Sequence, residues 1–224
     1  MELEIIARVH TDFPTKFGLP RQAGLAALPA EIVFEPPFRD ASCIRGIGAW
    51  SHLWLIWQFD RAVASGWAPT VAPPKLGGKE RVGVFATRSP FRPNFMGLSC
   101  VRLEQVEEHT PRGPVLHVSG ADLADGTPIF DIKPYLPYAD SVPGAADAFA
   151  DKRRGGLLQV DFPARWLEMI PEDKRAALLQ VLALDARPGY QDDPARRYGF
   201  PYAGFDVRFT VAEGRLTVVE VVRL

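Results

Sequence analysis

The sequence predicts a mainly β protein: a mostly antiparallel sheet or barrel followed by a small C-terminal α+β appendage. Three observations predict it. Short runs rich in β-branched and aromatic residues succeed one another with turn residues between them and no long helix intervening, which argues against a doubly wound α/β fold. Only two stretches carry helix signals. The 224-residue chain closes on two further β-rich runs around Glu213-Gly214, the pattern of a hairpin.

Taken in order, Leu3 to His10 alternates loosely through Ile5, Ile6 and Val9 and reads as a strand. Thr11 to Leu25, punctuated by Pro14, Gly18, Pro20 and Gly24, reads as a loop long enough to carry function. Strands are expected at Ile32 to Phe34, Leu53 to Phe59, Val82 to Ala86, Leu98 to Val106, Val115 to Val118 and Pro128 to Ile132. A short helix is expected from Asp40 to Gly46 with Asp40 as its N-cap, and a longer one from Glu172 to Leu184. In the longer one Ala176, Leu179, Leu182 and Ala183 recur at helical spacing. Ser141 to Gly156, with Pro143, Gly144 and the charged run Asp151-Lys152-Arg153-Arg154, reads as a linker. The expected division is therefore a β-domain over residues 1–145 and an α+β domain over residues 146–224. Leu53 to Trp57 reads as core with Trp50 and Trp57 at its edge, and His52 as a satisfied buried histidine.

Composition narrows the functions. Apolar residues make up 47% and charged residues 24%, an ordinary globular balance. With 26 Lys and Arg against 27 Asp and Glu the net charge is −1, so a nucleic-acid partner would need a local basic patch. Cys43 and Cys100 form no CxxC pair and read as reduced core thiols. The start, Met1-Glu2-Leu3-Glu4, lacks the marks of a signal peptide, and Trp50 to Phe59 is too short to span a bilayer, so a cytoplasmic protein with no membrane partner is expected. The four histidines show no metal spacing, and no metal site is expected. Phosphate-cradling signatures are missing, since Gly46-Ile47-Gly48 precedes a strand and Gly77-Gly78-Lys79 lacks the rest of a P-loop.

Two dense segments remain. Arg81 to Ser99 places Arg88, Arg92 and Asn94 in a proline-bounded loop between strands, where rigid guanidinium groups recognise phosphate or carboxylate. Gly120 to Pro128 reads as a turn carrying Asp122 and Asp125, followed by Asp131, Lys133 and Tyr135. Each also has a plainer reading: Asp125-Gly126 as a simple turn, and the prolines around Arg92 as markers of an edge strand.

The chain resembles the TsaA-like family, and within it the TrmO-type tRNA (adenine(37)-N6)-methyltransferases. The resemblance lies in Pro20 to Leu25, Ser51-His52-Leu53-Trp54, Pro73 to Gly78, Gly83 to Asn94 with Gly97, and Asp125 to Pro137, with a weaker echo in Leu184 to Tyr190 and Phe205-Asp206-Val207. It implies a β-barrel that binds S-adenosylmethionine outside the Rossmann class, usually as a homodimer. The reaction it implies is methylation of N6-threonylcarbamoyladenosine next to the anticodon of threonine tRNA. Carried over by motif, the cofactor contacts would be Arg21, Gln22, Ala23, Asp60, Arg61, Arg88, Leu98, Ser119, Gly120, Ala121 and Asp122. Asn94 and Lys133 would meet the substrate, Arg92 would either meet it or order its own loop, and Asp125, Asp131 or Tyr135 would take the proton from the accepting nitrogen. The chain departs from the family at Phe95-Met96, where Pro-Ile is common, at Asp60-Arg61, where His-Gln is frequent, and at His10 to Phe13. Two other readings stay open on the residues alone: a non-catalytic RNA-binding barrel, and a methyltransferase acting on another adenosine or a small molecule.

Overall fold

The computed structural model describes residues 2–73, 80–146, 156–187 and 193–224. Parts of three expected features lie outside them: most of the Pro73 to Gly78 motif, the expected linker with its basic run Lys152 to Arg154, and Pro188 to Tyr190.

Six strands close into an antiparallel barrel in the order β1 (Ala7–His10), β2 (Pro29–Phe34), β7 (Val115–Ser119), β6 (Met96–Glu107), β3 (His52–Gln58) and β8 (Pro128–Pro134). Closure leaves these strands no free edge. Strand β3 shows the period-2 rule plainly: Leu53, Leu55 and Trp57 are buried, while Trp54 and Ile56 face outward and are half-buried. Burying side chains of this size stabilises the fold by roughly 1.5–3 kcal/mol each. Gly97 pairs with Trp57 across β3 and β6, and a Cβ there would overlap the indole ring. Only glycine lets the buried Trp57 ring lie over that strand.

Register decides where the loops go. Gln58 pairs with Met96, Trp57 with Ile129, His10 with Glu31 and Pro29 with Ser119. The ends of β1, β3 and β7 and the starts of β2, β6 and β8 therefore share one mouth of the barrel. Three connections open there: residues 11–28, 59–95 and 120–127. A two-stranded ribbon, β4 (Thr70–Val71) with β5 (Val82–Gly83), sits in the second of them.

Beyond the short helix α1 (Pro137–Asp140) lies a second sheet, ordered β10 (Tyr198–Tyr202), β11 (Phe205–Ala212), β12 (Arg215–Arg223) and β9 (Gln159–Asp161). Helix α2 (Ala164–Leu167) precedes α3 (Glu172–Ala183), which buries Ala177, Leu178, Val181 and Leu182 in a core with Phe200, Tyr202, Val207 and Phe209. Phe13, Ala26 and Leu28 belong to this second core although they precede β2 in the chain.

Several expectations change. The α3 face is set by residues 177, 178, 181 and 182, and Ala176 is exposed. Val82 to Ala86 is a two-residue strand followed by a 3₁₀ turn, because Val84–Ala86 closes locally onto the loop. The β-run from Leu3 pairs only from Ala7 onward. Strand β10, for which no strand is expected, forms at the sheet edge, where the N–H that Pro201 lacks costs no ladder bond. Cys43 is exposed and Cys100 half-buried, both free, so neither is a core thiol. Trp57 is fully inside the barrel, while His52 is only half-buried, with Nδ1 3.0 Å from the Ser51 hydroxyl oxygen. Two expectations are met closely: Asp40 caps the 3₁₀ turn Ala41–Ile44, its carboxylate accepting from the Ser42 amide at 2.8 Å, and Glu213-Gly214 turns the last hairpin with both φ angles positive.

Candidate functional site

The site is built where two loops touch at the shared mouth. Gly24 donates its amide to the Gly120 carbonyl at 2.9 Å, and Gly120 donates its own to Leu28 at 2.9 Å. Gly120 has φ +84° and its Cα faces Gly24 so closely that a Cβ would come within 3.3 Å of the backbone. That approach sets Gln22 and Ala23 beside Asp122. From the 59–95 loop Arg88 reaches over, its guanidinium donating to the Gln22 side-chain oxygen. Gln22 in turn donates to the Arg21 carbonyl.

Beneath them runs a chain of hydrogen bonds from inside the barrel. The Trp57 indole N–H donates to Ser99 Oγ at 3.0 Å, and the Ser99 hydroxyl donates to Asp122 Oδ1 at 2.6 Å. Burial pushes the Asp122 carboxyl above its ordinary value, and the Ser99 hydroxyl, the Arg88 charge and the Ala23 amide oppose that rise only in part. A carboxylate kept partly desolvated beside one arginine gains from a further cation or from hydroxyl donors. Gln22, Ala23, Arg88, Gly120, Ala121 and Asp122 therefore form one constellation, with Arg21 at its rim.

Other expected residues are placed differently. Arg61 lies at the same mouth but is spent on backbone, donating to the Pro14 carbonyl at 2.9 Å and the Asp125 carbonyl at 3.1 Å. Asp60 is exposed at the start of the neighbouring 3₁₀ turn. Asp125 shares the mouth, and its carboxylate accepts from the Thr11 amide at 3.1 Å and lies 3.3 Å from His10 Nδ1. Arg92 donates to the Thr87 and Val84 carbonyls at 2.7 and 3.2 Å, stapling its own loop, and Asn94 stands exposed in the adjoining turn. Leu98 faces outward from β6 and is 56% exposed, and the Ser119 hydroxyl turns to Glu104.

Asp131, Lys133 and Tyr135 are not brought to this mouth. Asp131 and Lys133 point outward from β8 and pair with each other at 3.3 Å. Tyr135 follows the far end of that strand, beside His52 and Trp54, about 20 Å along the strand at ~3.3 Å per residue.

Sequence reasoning missed Ser99 and Trp57 as supports of Asp122. The inward alternation of each strand was visible, but not that β3 and β6 pair, and the pairing is what stacks them under the 120–127 loop. It also missed the C-terminal residues that hold the 11–28 loop. Among the described residues no group of three or more His, Cys, Asp or Glu is arranged to hold a metal ion, and no helix is long and apolar enough to cross a membrane.

Comparison with known proteins places this architecture. The family profile for the tRNA-methyltransferase O N-terminal domain matches residues 8–141, and that for the TrmO C-terminal domain matches residues 157–224. A protein of Escherichia coli (strain K12) named tRNA (adenine(37)-N6)-methyltransferase is 38% identical over 226 residues, covering 97% of this chain and 96% of its own. One of the same name from Eikenella corrodens is 42% identical over 179 residues, covering 78% and 97%. The crystal structure of TrmO from Pseudomonas aeruginosa superposes with a TM-score of 0.78 at 33% identity, covering 99% of this chain and 98% of that one. A closed six-stranded barrel, loops meeting over Asp122 at one mouth, and profile matches across both halves together show that the chain belongs to the tRNA-methyltransferase O family.

Proposed function

We propose that the chain is an S-adenosylmethionine-dependent tRNA (adenine(37)-N6)-methyltransferase that methylates N6-threonylcarbamoyladenosine in threonine tRNA. The observation that carries the reading is the meeting of Gln22, Ala23 and Arg88 with the half-buried Asp122 at one barrel mouth. The donor set fits the cofactor. A guanidinium suits its carboxylate, and a partly desolvated carboxylate suits its ammonium or ribose hydroxyls. When bound, the cofactor supplies an electrophilic methyl group on a sulfonium.

The chain's part is to hold and orient. Arg21, Gln22, Ala23, Arg88 and Gly120 to Asp122 bind the cofactor, so that a methyl group and an accepting nitrogen meet in line at about 3–3.5 Å. A carbamoylated adenine nitrogen is a poor nucleophile until its proton leaves. Of the three carboxylate and phenol candidates, Asp125 stands at the mouth with His10 beside it, and it is assigned the proton. The barrel domain, residues 1–145, carries this chemistry, and residues 146–224 form the second domain. The working enzyme is a cytoplasmic homodimer, a reading supported by outward apolar side chains beside the mouth: Phe85 (75% exposed), Trp67 (56%) and Leu98 (56%).

Calorimetric titration with S-adenosylmethionine, followed by mass spectrometry of nucleosides from tRNA incubated with and without enzyme, tests the reading. Saturable binding and a methyl group on N6-threonylcarbamoyladenosine are expected. Salt-sensitive tRNA binding without cofactor uptake would instead mark a non-catalytic RNA-binding barrel. Light scattering should give twice the chain mass, and a monomer active at assay concentration would remove the dimer from the proposal.

A further inference from the structure

The 11–28 loop carries cofactor residues on one side and is fastened by the C-terminal domain on the other. Phe13 is 1% exposed and packs on Tyr202 and Phe200, with centroids 5.0 and 5.9 Å away. Gly18, at φ +96°, lies so near Phe200 that a Cβ would stand 2.7 Å from its ring. Lys174 pairs with Asp12 at 2.7 Å, the Ala203 amide donates to the Asp12 carbonyl at 3.0 Å, and the Ala27 amide donates to Gln180 Oε1 at 2.8 Å.

The last fastening is at the cofactor residues themselves. Arg21 Nη2 donates to the Arg187 carbonyl at 2.7 Å. That carbonyl is held in place by a buckle: Arg187 Nε and Nη2 donate to the two Asp185 oxygens at 2.8 and 2.9 Å, and Asp185 takes a left-handed φ of +52°. A loop without regular structure loses much conformational freedom when it closes on a ligand, and this anchorage removes that loss before binding.

We infer that the C-terminal domain sets the cofactor loop, with Asp185 and Arg187 as positioning residues that act through Arg21. This rests on the cofactor reading above and adds to it a reason for the second domain.

The test compares Asp185→Ala and the milder, exposed-side-chain Gln180→Ala with wild type. Arg208→Ala serves as control, since it breaks the pairs to Asp206 and Glu220 at 2.8 and 2.7 Å on the outer face of the same sheet. Cofactor Kd, KM and kcat, melting temperature, and amide exchange over residues 20–26 are measured. Asp185→Ala should raise Kd and KM for S-adenosylmethionine roughly fivefold to tenfold, about one hydrogen bond's worth. It should leave kcat at saturation and KM for tRNA unchanged and speed exchange at residues 20–26. Gln180→Ala should move the same quantities less, which keeps the test decisive if Asp185→Ala does not fold. Arg208→Ala should move the melting temperature alone. Wild-type affinity and wild-type loop exchange in a folded variant would overturn the inference while leaving the cofactor reading intact. Failure of the wild-type protein itself to bind the cofactor would overturn both.

Discussion

Replacing Asp122 with asparagine separates what this side chain does for the fold from the cofactor contact proposed for it. In the wild-type protein Asp122 accepts from Ser99 Oγ at 2.6 Å, and an asparagine oxygen can accept the same bond, so the chain from Trp57 through Ser99 survives. The change removes a charge whose ionised form burial disfavours. Because the folded pKa is raised, the folded state holds the proton more tightly than the unfolded one. Wild-type stability therefore falls as pH climbs from the unfolded value of 3.8 through the higher folded value. The asparagine side chain has no such dependence, so the stability of the variant relative to wild type should grow across that window and then level off, leaving the variant at least as stable at neutral pH. Cofactor affinity should move the other way. Losing a hydrogen bond to a charged group costs about 1.5–3 kcal/mol, or roughly tenfold to 150-fold in Kd. Wild-type affinity should also weaken as pH falls and Asp122 takes up its proton, a dependence the variant should lack. Urea melts over a pH series beside calorimetric titrations decide it. An Asp122→Asn protein that is less stable at neutral pH, yet binds the cofactor within twofold of wild type with the same pH profile, would refute the reasoning.

Arg88→Ala should weaken S-adenosylmethionine binding by about 1.5–3 kcal/mol with the protein still folded, and lysine should rescue poorly because an ammonium lacks the planar fork; titration beside thermal melts checks both. Gly97→Ala should cost about 1–3 kcal/mol by forcing a Cβ into the Trp57 ring, and a chemical-denaturation midpoint at the wild-type value would contradict the packing account. Gly120→Ala adds a side chain at φ +84° and presses on Gly24, so it should lower cofactor affinity more than it lowers the melting temperature. Asp131→Asn and Tyr135→Phe, both away from the mouth, should leave cofactor binding unchanged by calorimetry.

The sequence by itself determined most of the barrel strands, the closing hairpin and the residue types that gather at the mouth. Alternation along Leu53 to Trp57, the Asp40 cap and the Glu213-Gly214 turn are local, and the period of a strand or the φ preference of a turn is written in neighbouring residues. The dense segments around Arg88 and Asp122 and the loop after His10 stood out for the same reason. What only the tertiary structure decided is who meets whom. Closure of β1 on β8 and the register of β3 on β6 bring three loops distant in sequence to one mouth, carry Asp131, Lys133 and Tyr135 away from it, and set Ser99 under Asp122. Phe13 and Arg21 reach the C-terminal core and the Arg187 carbonyl across most of the chain. Such pairings depend on the shapes of surfaces that exist only after the strands have formed, so no short window of sequence contains them.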